Sequence, residues 1–128
     1  MILNHRLMIA IVKRGHSREV IAAAKEAGVD GATIIYAEGI GRNEKATFLG
    51  LPATHEKDVI LLALDGDDEN AVAQAVSKAG KLGKSGYGLG FTIHLSKLLG
   101  VPHLSQRMDD RKKREVLMIW IQRRRISN

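Results

Sequence analysis

The sequence predicts an α+β domain: a four-stranded antiparallel sheet with two helices packed on one of its faces. Three observations predict it. Four short apolar runs rich in β-branched residues read as strands, and two stretches with apolar residues three and four apart read as helices. Their order along the chain is β-α-β-β-α-β, the split βαβ arrangement of ferredoxin-like folds.

The first strand is Leu7 to Val12 (LMIAIV), apolar throughout. Ser17 is placed to cap the first helix, whose inward positions are Val20, Ile21, Ala24 and Ala27, with Gly28 as its stop signal. Ala32 to Ala37 (ATIIYA) is the second strand. Gly39 and Gly41 break it, and a polar loop runs to about His55. Asp58 to Leu64 (DVILLAL) is the third strand. Asp67 or Asp68 then caps a second helix with Val72, Ala75, Val76 and Ala79 inward, ended by Gly80. After a glycine-rich run, Phe91 to Leu95 (FTIHL) is the fourth strand. Two helices cover one face of such a sheet, yet Leu7, Ile9 and Ile11 alternate with Met8, Ala10 and Val12, apolar on both faces. The uncovered face needs a partner, and a closed homo-oligomer supplies it.

A chain of 128 residues is long enough to bury a core without cross-links, and the absence of cysteine excludes disulfides, thiol nucleophiles and thiolate metal sites. No cleavable leader and no run of membrane-spanning length is visible, which points to a soluble protein of a reducing cytosol. Charge is uneven. Residues 1–104 carry 12 Lys/Arg against 11 Asp/Glu, and residues 105–128 carry 8 against 3. The chain therefore divides into a body, 1–104, and a basic C-terminal helical extension, 105–128.

The run Ala79 to Phe91 (AGKLGKSGYGLGF) contains Gly83-Lys84-Ser85, the ending of a Walker loop. Lys78 stands where that motif needs its first glycine, and the run leads from a helix into a strand instead of from a strand into a helix. It is also longer than an ordinary helix-to-strand connection. A trimer of this fold brings the loop after the second strand, with Gly39, Gly41 and Arg42, near the glycine-rich run of a neighbouring subunit. Arg42, Lys81 and Lys84 beside exposed backbone would make an anion-friendly cleft.

Ile11-Val-Lys-Arg-Gly15, Gly31-Ala-Thr-Ile-Ile35, Gly39-Ile-Gly-Arg42, and Gly80-Lys-Leu-Gly83 through Gly90-Phe-Thr-Ile93 together resemble the P-II nitrogen regulatory proteins, in the branch with a shortened mobile loop. The resemblance covers residues 5 to about 104. It implies a homotrimer that senses a metabolite, often an adenine nucleotide, in each intersubunit cleft, and the chain itself offers no nucleophile with an adjacent base and no paired carboxylates, so a non-enzymatic, cytoplasmic protein is expected. Such a protein acts on a partner, a transporter or an enzyme, and so comes to the membrane when that partner is there.

By position, Thr33 matches the threonine near the adenine, Gly41 and Arg42 the base of the mobile loop, and Gly86 and Gly88 the glycines that wrap phosphates. Gly83, Lys81 and Lys84 join them as ligand-binding candidates. The departures are Leu89 in place of a lysine, and Gly100 and Pro102 in place of two basic residues. Each lost contact costs roughly 1.5–3 kcal/mol of phosphate binding. They count against ATP and leave ADP, AMP, a cyclic nucleotide, a smaller anion or no nucleotide open. No cofactor is required.

The mobile loop, Asn43 to His55 (NEKATFLGLPATH), has no tyrosine to modify. Asn43, Glu44, Phe48, Leu49 and Leu51 are its candidate partner contacts, although apolar loop residues more often fold back on the body. Five histidines show no helical ligand spacing, and no metal site is assigned. A metal-responsive trimer using His55, Glu56 and His103 is one alternative function. The tail supplies the other: Val116, Leu117, Trp120 and Ile121 lie between two basic clusters, as in a helix that packs on its own trimer or docks on an anionic membrane. Nucleic acid ranks last, because the body lacks a basic face and stacking aromatics.

Overall fold

The computed structural model describes residues 4–41, 47–52, 55–100 and 117–121. Residues 4–96 form one compact unit, and the chain from Lys97 onward belongs to a second.

In the first unit, β1 (His5–Lys13), α1 (Ser17–Glu26), β2 (Thr33–Gly39), two short strands β3 (Thr47–Phe48) and β4 (Leu51–Pro52), β5 (His55–Asp65), α2 (Glu69–Ala79) and β6 (Gly88–His94) follow in order. The main sheet is antiparallel with strand order β2-β5-β1-β6. Each helix therefore crosses from one strand to its parallel second neighbour, as the split βαβ pattern requires. The predicted fold class is the one observed. β5 begins three residues earlier than the apolar run, because polar His55, Glu56 and Lys57 still pair with β2.

The pleat sends alternate residues to opposite faces. Met8, Ala10 and Val12 of β1 and Ile60, Leu62 and Leu64 of β5 face the helices, where they are buried against Val20, Ala24, Val29, Val72 and Val76. Ala73, not Ala75, packs against this core; Ala75 lines a shallow groove between the two helices. The opposite face carries Leu7, Ile9, Ile11, Val59, Leu61, Ile35, Leu89, Phe91 and Ile93 in register across all four strands. Ile35, Leu89, Phe91 and Ile93 are 44–53% exposed. The second apolar face is thus real, and none of the described elements of this unit covers it.

The helix ends differ from expectation. His16 occupies the cap position of α1, and Ser17 is its first, buried residue. Asp68 precedes α2 without a capping bond; Asp65 instead accepts from the Asp67 N–H at 3.0 Å and starts a single 3₁₀ turn. Gly80 ends α2 with an ordinary helical φ of −83°, and the left-handed residue is Lys81, at φ +53°. The sequence predicts a polar loop after β2. It holds a β3–β4 hairpin whose two-residue turn is Leu49-Gly50, with φ of +53° and +77°.

At one end of the sheet, Glu69 joins three elements. It lies 2.7 Å from Arg6 Nε of β1 and accepts from Thr92 Oγ1 of β6 at 2.8 Å. In the second unit, residues 117–121 are helical and exposed. The remainder of the predicted tail helix lies outside the described residues.

Candidate functional site

At the other end of the sheet, β1 stops, β2 leaves for its loop, β5 starts and the glycine-rich run delivers the chain to β6. Sheet register fixes the neighbours: Lys13 stands opposite Lys57, Gly39 opposite His55, and Val12 opposite Gly88. Lys13 and Lys57 belong to the uncovered face.

Arg14 organises this end. Its Nε lies 2.9 Å from Asp58 Oδ1, a carboxylate 2% exposed, and a terminal nitrogen lies 3.4 Å from Glu56. The Asp58 contact is a close ion pair, not an aligned hydrogen bond. The other terminal nitrogen donates to the carbonyls of Ala37 and Lys57, each at 3.3 Å. The guanidinium also lies 4.9 Å from the centre of the Tyr36 ring. Asp58 in turn accepts from the Gly15 N–H at 3.1 Å, fixing the turn into α1. Its burial explains the pairing, since an unpaired carboxylate there would be costly.

A recess of about 520 Å³ opens beside this cluster, lined by Lys13, Arg14, His55, Glu56, Lys57, Ser85 and Gly86. Both acidic groups near Arg14 are engaged with it, so the lining is cationic in balance. Lys13 Nζ sits 4.5 Å from the centre of the Tyr87 ring, Lys81 Nζ 5.6 Å from it, and His16 meets its edge. Tyr87 thereby holds the glycine-rich run against the end of β1.

The predicted residues divide. Of the run, Gly86 lines the recess together with Ser85, whereas Lys81, Gly83 and Lys84 are exposed and are not among its lining residues. Gly86 adopts φ +81° with open space around it, and Gly83 is equally open. Gly88 is different. At φ +145°, a Cβ there would lie 3.2 Å from the Ile11 carbonyl carbon and Val12 Cα, and closer still to the Ile11 oxygen. Strand packing alone therefore demands glycine at position 88. Thr33 stands at the far end of β2, opposite Leu61, and one chain does not bring it to the recess. Gly41 is exposed at the loop's start. Arg42, Asn43 and Glu44 lie outside the described residues, as does the side chain of Phe48. Leu49 and Leu51 do not fold back; they are 87% and 68% exposed.

Lys13, Lys57, Arg14 and Tyr87 escaped the sequence reading. The lysines are 44 positions apart and meet only through sheet register. Of the residues named for the alternative metal-responsive function, His55 and Glu56 line the recess and His103 lies outside the described residues; among the described residues no group of three His, Asp or Glu is arranged to hold a metal ion. His94 is exposed at the end of the edge strand β6, opposite Arg6.

Comparison with known proteins now bears on this arrangement. The model of the family "Nitrogen regulatory protein P-II" matches residues 5–101. The chain belongs to the P-II family. It is a P-II-like regulatory signalling protein, from a family of non-enzymatic regulators. No curated protein matches it. Among solved structures, the P-II protein of Arabidopsis thaliana bound to citrate superposes with a TM-score of 0.62 at 19% identity, over 80% of this chain and 87% of that one. That likeness supports the fold, including the strand order that gathers the recess.

Proposed function

We propose that this P-II protein is a homotrimer that senses a small anion in clefts between subunits and passes the signal to a partner protein through the loop after β2. The observation that carries the reading is the recess where Lys13 and Lys57 meet the open glycine-rich run. Two further features support it. The sheet ends in two unpaired edges, β2 and β6, and an apolar face spans it from edge to edge. Association of three copies through that face would bury the face and set the β2 loop of one copy beside the glycine-rich run of the next.

The ligand is an anion of modest size: a carboxylate such as the citrate held by the Arabidopsis protein, or ADP, AMP or a cyclic nucleotide. ATP fits poorly because Leu89 lies on the uncovered sheet face, paired with Ile11, where it offers no charge to a phosphate. The output is the β3–β4 hairpin, whose exposed Leu49 and Leu51 would enter an apolar site on the partner, a transporter or an enzyme. The protein would work in the cytoplasm and visit the membrane with that partner.

Titration calorimetry with citrate, ADP, AMP, cyclic AMP and ATP tests the ligand. Binding of at least one anion, weakened about 10- to 100-fold in Lys57→Ala by loss of a charge-assisted contact, is expected. Binding of none, by a protein that sedimentation shows to be trimeric, overturns the sensing claim.

A further inference from the structure

The glycine-rich run is fastened at two points. Leu82 packs against the core between the sheet and the helices, and Tyr87 lies against the end of β1. Between them the chain makes two successive tight turns. The Lys84 N–H donates to the Lys81 carbonyl at 3.0 Å, and the Tyr87 N–H to the Lys84 carbonyl at 3.3 Å. Gly83, Lys84, Ser85 and Gly86 are exposed on these turns. Tyr87 is not a wall of the recess, but its neighbours are: Gly86 precedes it, and Lys13, whose ammonium lies 4.5 Å from the ring centre, lines the recess as well. His16, at the cap position of α1, meets the ring edge, with 6.2 Å between ring centres, and Lys81 Nζ comes within 5.6 Å. One ring thus gathers the end of β1, the start of α1 and both ends of the run.

The kind of partner matters. Lys13 is an exposed residue at a strand end, where a long flexible stem would sweep its ammonium through a wide arc. A binding anion would then have to immobilise that stem, at a cost in entropy. A carboxylate beside Lys13 would hold it in advance but cancel its charge. An aromatic face holds the ammonium and leaves the charge available. We propose that Tyr87 is the positioning residue of the anion site, its ring holding the Lys13 ammonium beside Ser85 and Gly86 as a charge that is fixed but not neutralised. Tyr87 raises affinity without touching the anion. The proposal rests on the sensing reading of the recess and names the residue that tunes it.

Two measurements on the full chain separate this claim from that reading. Without any anion, proton NMR reads the contact itself. The Lys13 Hε signals lie upfield of those of other exposed lysines in the parent and in Tyr87→Phe, and return to the ordinary position in Tyr87→Leu. Titration calorimetry with citrate, ADP, AMP, cyclic AMP and ATP then reads the effect. Tyr87→Phe, which keeps the ring, binds within about twofold of the parent, whereas Tyr87→Leu weakens binding about 3- to 10-fold. In a Lys13→Met background, itself weakened about tenfold, Tyr87→Leu adds less than about twofold, because the group that the ring holds is gone. Equal affinity in the parent and Tyr87→Leu overturns the proposal. A full loss in Tyr87→Phe overturns it by giving the role to the hydroxyl. A loss that persists undiminished in the Lys13→Met background overturns it by making Tyr87 a packing residue of the run. An unshifted Lys13 signal beside intact anion binding overturns it and leaves the sensing reading standing. A parent that binds none of these anions overturns both.

Discussion

Glycine 88 allows the sharpest test of which glycines in the run Gly80 to Gly90 serve the sheet and which serve a ligand. Replacing it by alanine forces a side chain into φ +145°, a region almost reserved for glycine, at a cost of about 1–3 kcal/mol. The new methyl also overlaps the Ile11 carbonyl oxygen, so β1 and β6 must separate where Val12 and Gly88 pair. Backbone cannot swing aside as a side chain does, and overpacking typically adds about 1–3 kcal/mol. Together Gly88→Ala should lose about 2–6 kcal/mol.

Gly86→Ala meets open space at φ +81° and should lose about 1–2 kcal/mol. Gly83→Ala, open and without a positive φ, should be neutral or gain up to about 1 kcal/mol. Urea unfolding of the three variants at one protein concentration reads the series, since an oligomer's apparent stability depends on concentration. A loss below about 1 kcal/mol in Gly88→Ala would refute the reasoning, because it would mean that the two strands do not approach as closely as the register requires. The same proteins in the anion titration complete the separation. Weakened binding in Gly83→Ala, or in Gly86→Ala under conditions where it stays fully folded, marks the glycines that a ligand approaches.

Other perturbations have equally definite outcomes. Arg14→Ala strips a buried carboxylate of its cation and should cost about 3 kcal/mol by denaturant titration, whereas Arg14→Ala/Asp58→Asn together should cost clearly less than the sum of the two single changes. Leu49→Asn relieves a left-handed leucine in the hairpin turn; hydrogen exchange at the β3–β4 amides should slow about five- to tenfold, for about 1 kcal/mol of local stability, and unchanged exchange would contradict the turn geometry. Phe91→Glu places a charge on the uncovered apolar face at the β6 edge, and the proposed trimer requires sedimentation to show the variant as a smaller species than the parent protein at the same concentration.

The sequence carried the fold because the signals for it are local. The LMIAIV and DVILLAL runs and the three-and-four spacing of Val20, Ala24, Val72 and Val76 each declare an element within a few residues. The second apolar face was legible for the same reason: Leu7, Ile9 and Ile11 alternate with Met8, Ala10 and Val12. The site was harder to read because its parts are distant. Lys13 and Lys57 become neighbours only once β1 and β5 are in register, and the role of Arg14 depends on Asp58 being buried opposite the β1 end. The Leu49-Gly50 turn was missed because hairpins of that type favour Asn or Gly in the first position, and leucine gives no such signal. Gly88 stood in a glycine-rich run that suggested ligand contact, although its neighbour is the backbone of Ile11.

Arg14 has one more consequence. A single guanidinium bonds to Ala37 on the strand that enters the β2 loop, and to Lys57, Glu56 and Asp58 on the strand that leaves it. The two stems are riveted together at the root. Spreading them would break the Arg14–Ala37 hydrogen bond and the ladder that pairs Ala37, Glu38 and Gly39 with Lys57, Glu56 and His55. The root of the loop is therefore closed by side-chain bonds as well as by the strand ladder, so any change at the hairpin tip leaves the strand ends in register.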